Sequence, residues 1–149
     1  WAQAHYVKSG SEFVTKASVA GLFEIESSKL ALEKSSNADV RDLAQQMIDD
    51  HEKANAELKA TLPNTQVDAS AAKDSLDKKH ARLMDKLEGA KAGPSFDRQY
   101  LAIQKDAHKE AVSLFQNYAK HGDDAQLRQF ASQTLPTLEM HLQHVKELK

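Results

Sequence analysis

The sequence predicts an all-α fold, and three observations lead to that class. The 149 residues contain only 5 Gly and 3 Pro, so the chain is poor in the residues that form the many turns of a β architecture. Four long segments carry apolar residues at the spacing of an amphipathic helix. The connections within the first pair and within the second pair of segments are short, and a long connection joins the pairs. We therefore expect a four-helix bundle built from two antiparallel hairpins.

The first helix is predicted over residues 11–35, with Ser11 as its N-cap. One lane along this helix consists of small residues around a single carboxylate, that of Glu24. The second helix is predicted over residues 38–61, and the short connection before it requires an antiparallel neighbour. Its apolar stripe is interrupted by His51, which stands where an apolar residue is expected.

A long connection between Pro63 and Pro94 carries a short amphipathic helix, predicted over residues 70–87. At about 1.5 Å per helical residue, such a segment can travel back along the bundle. The third helix follows and is predicted over residues 96–122. It carries His108 one position away from its apolar stripe.

The fourth helix is predicted over residues 124–148, with His141 in a core-facing position. Pro136 lies inside it and should remove one backbone hydrogen bond and kink the helix. Two hairpins joined by a long helical crossover have the connectivity of ferritin-like bundles rather than of simple up-and-down bundles. We therefore predict one ferritin-like domain over residues 11–149 and an N-terminal extension over residues 1–10.

The extension begins without Met and contains Ala2-Gln3-Ala4, the small-x-small pattern that precedes cleavage by signal peptidase. This pattern predicts a protein that is exported from the cytoplasm. Residues derived from an expression vector are the alternative interpretation of the same segment.

The charge pattern argues against two classes of partner. Acids and bases are interspersed and the formal net charge is -2, so there is neither a basic stripe for nucleic acid nor a block of like charge for a membrane surface. No segment approaches the roughly 20 apolar residues that a membrane-spanning helix needs. The absence of Cys excludes thiolate catalysis and thiolate metal ligands. We expect no nucleic-acid partner and no transmembrane segment.

The polar residues that interrupt the helix patterns fall at similar heights in the predicted bundle. Counted from the end that holds the first hairpin turn, Glu24, His51 and His108 each lie about thirteen or fourteen residues in, or roughly 20 Å. His141 lies nearer that end by roughly 7 Å, unless the kink at Pro136 changes the offset. The spacing therefore predicts a polar cluster inside the bundle.

Neutral imidazole and carboxylate are ligands of zinc, iron, copper and nickel, and bundles build such sites between facing helices. The acid-rich diiron pattern is absent, because apolar residues stand three positions before His51 and His141. We therefore predict one transition-metal ion, bound for storage, buffering or a redox reaction, with an open position if only three groups bind. No catalytic residue is assigned. The predicted ligands are Glu24, His51, His108 and His141.

Other interpretations of these residues stay open. A histidine on an apolar stripe often forms only hydrogen bonds within a core, and His108 fits the boundary of a core. His144 follows His141 at i+3 and either shares the site or faces solvent. The alternative hypothesis is a non-enzymatic envelope or stress-associated protein that acts through an unidentified protein partner; a homo-oligomer is also compatible with the sequence. Haem has little support, since no Cys-x-x-Cys-His is present for covalent attachment.

Four segments together resemble a known family: AGLFEIESSKLALEKS, VRDLAQQMIDDHEKAN, FDRQYLAIQKDAHKEAVSLF and LRQFASQTLPTLEMHLQHVKEL. Over residues 13–148, their order is similar to that of a bacterial family of uncharacterised proteins, described as predicted outer-membrane or exported proteins with a ferritin-like domain. The resemblance implies a ferritin-like four-helix bundle, export through a signal peptide and no established activity. A periplasmic or exported location is therefore expected. The recurring polar positions of that family carry over onto Glu24, Asp50, His51, Asp97, Tyr100, His108 and His141.

Overall fold

The computed structural model describes residues 7–148, and the regular structure of this part of the chain is entirely helical. Four long helices and one short helix are present, so the prediction of an all-α bundle is confirmed. The helices are α1 (Gly10–Lys34), α2 (Ala38–Thr61), α3 (Lys78–Gly89), α4 (Pro94–His121) and α5 (Ala125–Glu147).

The helix starts follow from local capping chemistry. The N-cap of α1 is Ser9 and not the predicted Ser11, because the Ser9 hydroxyl oxygen accepts the backbone N–H of Glu12 at 3.3 Å. The helix of the crossover is shorter than predicted. It begins only after Asp77, whose Oδ1 accepts the backbone N–H of His80 at 2.9 Å. Residues 69–71 form a separate 3-10 turn instead of the start of this helix.

The four long helices form two antiparallel hairpins, α1 with α2 and α4 with α5, and these pack side by side through α1 against α4 and α2 against α5. Backbone hydrogen bonds tie the hairpins at both ends. Gly93 N–H donates to the Lys34 carbonyl at 2.9 Å, and Asp123 N–H donates to the Lys8 carbonyl at 3.0 Å. Neighbouring long helices therefore run antiparallel, and the crossover carries α3 along α1 and α4.

The apolar core is divided into two clusters, one toward each end of the bundle. One cluster includes Phe23, Leu43 and Tyr100, and the other includes Phe13 and Tyr118, whose rings stack at 4.2 Å between centroids. Burial of each such aromatic side chain contributes on the order of 2 kcal/mol. The two clusters hold the helices in register on either side of a middle layer, and that layer is where the polar residues lie.

Four further predictions concern Pro136, membrane-spanning segments, the N-terminal residues and the bounds of the domain. Helix α5 continues through Pro136 without a break. None of the helices in residues 7–148 combines the length and the apolar character needed to cross a membrane. The Ala2-Gln3-Ala4 pattern falls outside the described residues, and the domain bounds 11–149 stay a prediction.

Candidate metal centre

Three histidines from three helices meet in the middle layer of the bundle. His51 lies on α2, His108 on α4 and His141 on α5, and one ring nitrogen of each lies within 4.8 Å of one from each of the others. Their ring centroids are 5.4 to 5.7 Å apart. The exposed fractions are 7%, 0% and 0%, respectively. Three of the four predicted ligands therefore converge in a buried cluster.

The ring of His141 meets the rings of the other two histidines, so the offset of roughly 7 Å predicted for its position does not keep the side chain out of the cluster. His141 lies six residues before the last residue of α5, Glu147.

His108 is held in one orientation by its own helix. Its Nδ1 lies 2.9 Å from the Gln104 carbonyl oxygen and donates to it, since a carbonyl can only accept. In the neutral ring, Nε2 then carries the lone pair that a metal ion would bind. The side chain is fully buried, so the interpretation of His108 as a boundary residue is wrong.

His141 is held in the same way by a carboxylate on the neighbouring helix. Its Nε2 lies 2.7 Å from Oδ2 of Asp50, a side chain that is 33% exposed. The imidazole N–H donates to this carboxylate, which leaves Nδ1 unprotonated. A carboxylate behind a histidine fixes the ring and raises its basicity as a metal ligand.

Each of the three rings also has a buried nitrogen with no hydrogen-bond partner among the described residues. Buried polar atoms are nearly always paired in folded proteins, because an unpaired one loses its bond to water without replacement. Three such atoms in a single cluster fit a bound cation, since a cation accepts three lone pairs at once. The unpaired atoms are His51 Nε2, His108 Nε2 and His141 Nδ1.

Burial keeps the cluster uncharged. Desolvation lowers the pKa of His51 well below its usual value, and the neighbouring His108 and His141 lower it further by charge repulsion. Desolvation lowers the pKa of His108 to about 4. It also lowers the pKa of His141, although the Asp50 carboxylate opposes this effect. All three imidazoles are therefore neutral at pH 7, the protonation state that binds metal.

Glu24 lies beside the cluster and contacts a different side of the His108 ring. Its Oε2 is 3.6 Å from Nδ1 of His108, the nitrogen that bonds the Gln104 carbonyl, and the residue is 3% exposed. Desolvation raises the pKa of Glu24 to about 8, although a hydrogen bond from the Gln104 side chain opposes the shift. The Glu24 carboxyl is thus mainly protonated at pH 7.

Residues 2–148 match the sequence model of the family described as Domain of unknown function (DUF4142). The chain belongs to the DUF4142 family. This description names no activity, no cellular location and no relationship to ferritins, so those parts of the expectation stay predictions. No curated protein matches this DUF4142 chain.

Solved structures with the same fold are similar to this DUF4142 chain over nearly its whole length. CopM in the Cu(II)-bound form has a TM-score of 0.76 at 17% identity, over 95% of this chain and 96% of that one. A DUF305 fragment from Deinococcus radiodurans also has a TM-score of 0.76 at 17% identity, over 93% of each chain. CopM in the Ag-bound form has a TM-score of 0.74 at 18% identity, over 95% of each chain. At this identity the similarity establishes the fold alone.

The remaining polar positions of the DUF4142 chain lie along α4 toward its start. The Tyr100 hydroxyl is 2.7 Å from Oγ of Ser28, and burial raises the pKa of Tyr100. Asp97 lies eleven residues before His108 on α4, about 16 Å along the helix, and the structure does not bring it to the histidines.

Gln104 is the residue that the sequence did not reveal. Its Nε2 donates to Oγ of Ser27 at 3.0 Å, and its side chain also bonds Glu24. The available signal was its position one helical turn before His108, where an amide interrupts the buried face of α4. Gln104 thus supports both His108, through its carbonyl, and Glu24, through its side chain.

Proposed function

We propose that this protein binds one transition-metal ion through His51, His108 and His141. The observation that carries the proposal is the set of three buried ring nitrogens, one on each of three helices, that have no partner within residues 7–148. The other nitrogens of His108 and His141 are already bonded to a carbonyl and a carboxylate. Second-sphere bonds of this kind orient metal-binding histidines.

The alternative is that the three histidines only pack and form hydrogen bonds within the core. It accounts less well for their unpaired nitrogens. A buried polar group left without a partner destabilises a fold by about 1 to 3 kcal/mol. A histidine kept only for packing would be expected to pair both of its nitrogens or to be replaced by an apolar residue. Three unpaired nitrogens in one layer are a large loss of stability, and a bound ion would remove it.

Copper is the metal that we propose first, with zinc as its main competitor. Neutral imidazoles suit both ions, and two of the similar solved structures are of CopM bound to copper and silver. The charge of the buried cation would also be balanced in part by the Asp50 carboxylate, which contacts His141. We propose a storage or buffering role, in which the chain holds the ion away from solvent.

The test of this function is elemental analysis of the full chain after loading with Cu(I) or with Zn(II), followed by desalting. We expect close to one ion per chain. A wild-type chain that retains neither metal would refute the proposal and leave the histidines as core residues.

Asp50 offers a test of the second sphere. Asp50→Asn keeps the size of the side chain but removes the charge behind His141, so we expect metal affinity to fall by about 10- to 100-fold while the stoichiometry stays the same. Competition against a chromophoric chelator measures this change. The matched control is Asp49→Asn, the adjacent exposed position on the same helix, which should leave the affinity unchanged.

We also propose that the protein acts outside the cytoplasm, in the periplasm of its host. Support comes from the family resemblance. Fractionation of cells that express the natural full-length gene tests this proposal, and recovery of the protein only in the cytoplasmic fraction would contradict it.

A further inference from the structure

A small cavity of about 20 Å³ lies in the bundle next to the histidine cluster. Its walls come from α1, α2, α4 and α5, and small side chains leave the space open, among them Ala20, Ala54 and Ala111. A cavity of this volume holds about one water molecule. Of the three proposed metal ligands His51 lines it, so the space adjoins the metal centre on the side of α2.

Two polar groups in the wall of this cavity lack partners within residues 7–148. They are Oε1 of Glu24 and Nε2 of His51, on side chains that are 3% and 7% exposed. An apolar wall would leave such a space dry, whereas buried groups that can hydrogen-bond favour a polar occupant. The cavity therefore combines room for a small molecule with a hydrogen-bonding group to hold it.

The number of protein ligands also favours a small molecule bound in this cavity. Three imidazoles leave a four-coordinate ion with one position that the protein does not fill, which is the pattern of reactive rather than purely structural sites. Glu24 approaches His108 at Nδ1, the nitrogen bonded to the Gln104 carbonyl, rather than at the unpaired Nε2. This placement makes Glu24 a hydrogen-bond partner for a bound molecule rather than a fourth ligand.

The geometry points to an open coordination position at the metal centre, which takes one water-sized ligand in this cavity with Glu24 as its hydrogen-bond partner. The inference rests on the proposed metal binding and extends it, because the site then exchanges water, hydroxide or a small anion instead of only holding the ion. Glu24 is a positioning residue in this scheme.

The experiment uses the full chain loaded with Co(II), whose visible absorption reports a change of ligand, and fluoride, an anion about the size of a water molecule, as the probe. We expect a saturable spectral change for the wild type. Ala54→Leu fills the cavity beside His51 and should weaken fluoride binding by at least about tenfold, while Co(II) stays at one ion per chain. Ala56→Leu makes the same change at an exposed position of α2 and is the matched control.

Ala20→Leu fills the cavity from α1 and provides a second test if Ala54→Leu does not fold. Glu24→Leu removes the hydrogen-bonding group, and should weaken fluoride binding while Co(II) is retained. A Co(II) spectrum that does not respond to fluoride, or fluoride affinity unchanged in both cavity-filling variants, overturns the open position but leaves the metal site intact. Loss of Co(II) in Glu24→Leu would instead make Glu24 a ligand and overturn its role here. A wild-type chain that binds no Co(II), Cu(I) or Zn(II) overturns the proposed function itself.

Discussion

Replacing His108 with leucine should abolish tight metal binding and leave the bundle folded. The substitution removes one of the three unpaired nitrogens, and two imidazoles on different helices cannot hold the ion nearly as firmly. We expect affinity to fall by more than about 100-fold, beyond the effect expected for a second-sphere change. The fold should survive because leucine fills a fully buried position with apolar volume. Competition against a chromophoric chelator measures the loss.

His144→Leu is the matched control for this prediction. His144 lies one turn beyond His141 on α5 and its Nδ1 is 3.2 Å from Oε1 of Gln46, outside the three-histidine cluster. Its removal should leave the affinity within about threefold of the wild type. Equal losses of metal affinity in His108→Leu and His144→Leu would contradict the assignment of the ion to the three-histidine cluster.

Metal should also stabilise the wild-type fold and not the His108→Leu variant. An ion that binds only the folded chain adds about 4 kcal/mol to the free energy of unfolding at a free concentration of 1,000 times Kd. Denaturant titrations with and without metal measure this gain. A gain that persists in His108→Leu would contradict the assigned ligand.

The second large effect is that the metal-free protein should lose stability in acid, because its buried histidines resist protonation. His108 has a pKa of about 4 when folded, against 6.5 as its ordinary value. At a pH between these two pKa values, the unfolded chain binds the proton and the folded chain does not. The contribution of His108 to the free energy of unfolding is therefore fully present above pH 6.5 and is lost as the pH falls to 4. The shift corresponds to about 3 kcal/mol. The cause is desolvation. Water stabilises the charged form of the ring, and the buried ring is shielded from water, so the charged form is disfavoured.

The measurement compares the wild type with His108→Leu in chelator, by denaturant unfolding at pH 7 and at pH 4. The stability of the wild type relative to the variant should fall by about 3 kcal/mol over this range. Glu24 provides a control of opposite sign, since its pKa rises from 4.5 to about 8 on folding. The stability of the wild type relative to Glu24→Gln should therefore be full below pH 4.5 and fall as the pH rises through 8. A difference that does not vary with pH would mean that these groups remain solvated.

The helices could be predicted wherever strong local signals bound them. Helix α2 was predicted over residues 38–61 and occupies Ala38–Thr61, because Asn37 caps its start and Pro63 follows its end. The crossover helix was predicted too long, since apolar spacing alone does not show that Asp77 caps it.

The candidate site could be predicted in part. His51 and His141 interrupt apolar stripes, and this interruption indicates a buried polar residue. The partnership of Asp50 with His141 joins two helices, so no spacing within either helix indicates it. Gln104 supports His108 through its backbone carbonyl. Because every residue has such a carbonyl, the residue type gives no sign of this contact.

The sequence by itself determined the four long helices, their antiparallel pairing and the polar residues that enter the middle of the bundle. These features depend on the helical repeat and on the lengths of connections, which are local properties of the chain. Only the tertiary structure decided that the ring of His141 meets that of His51, that rotation of α4 buries His108 completely, and which ring nitrogens remain unpaired among the described residues. The axial shift and rotation of a helix arise from the packing of side chains between helices, which local spacing does not encode.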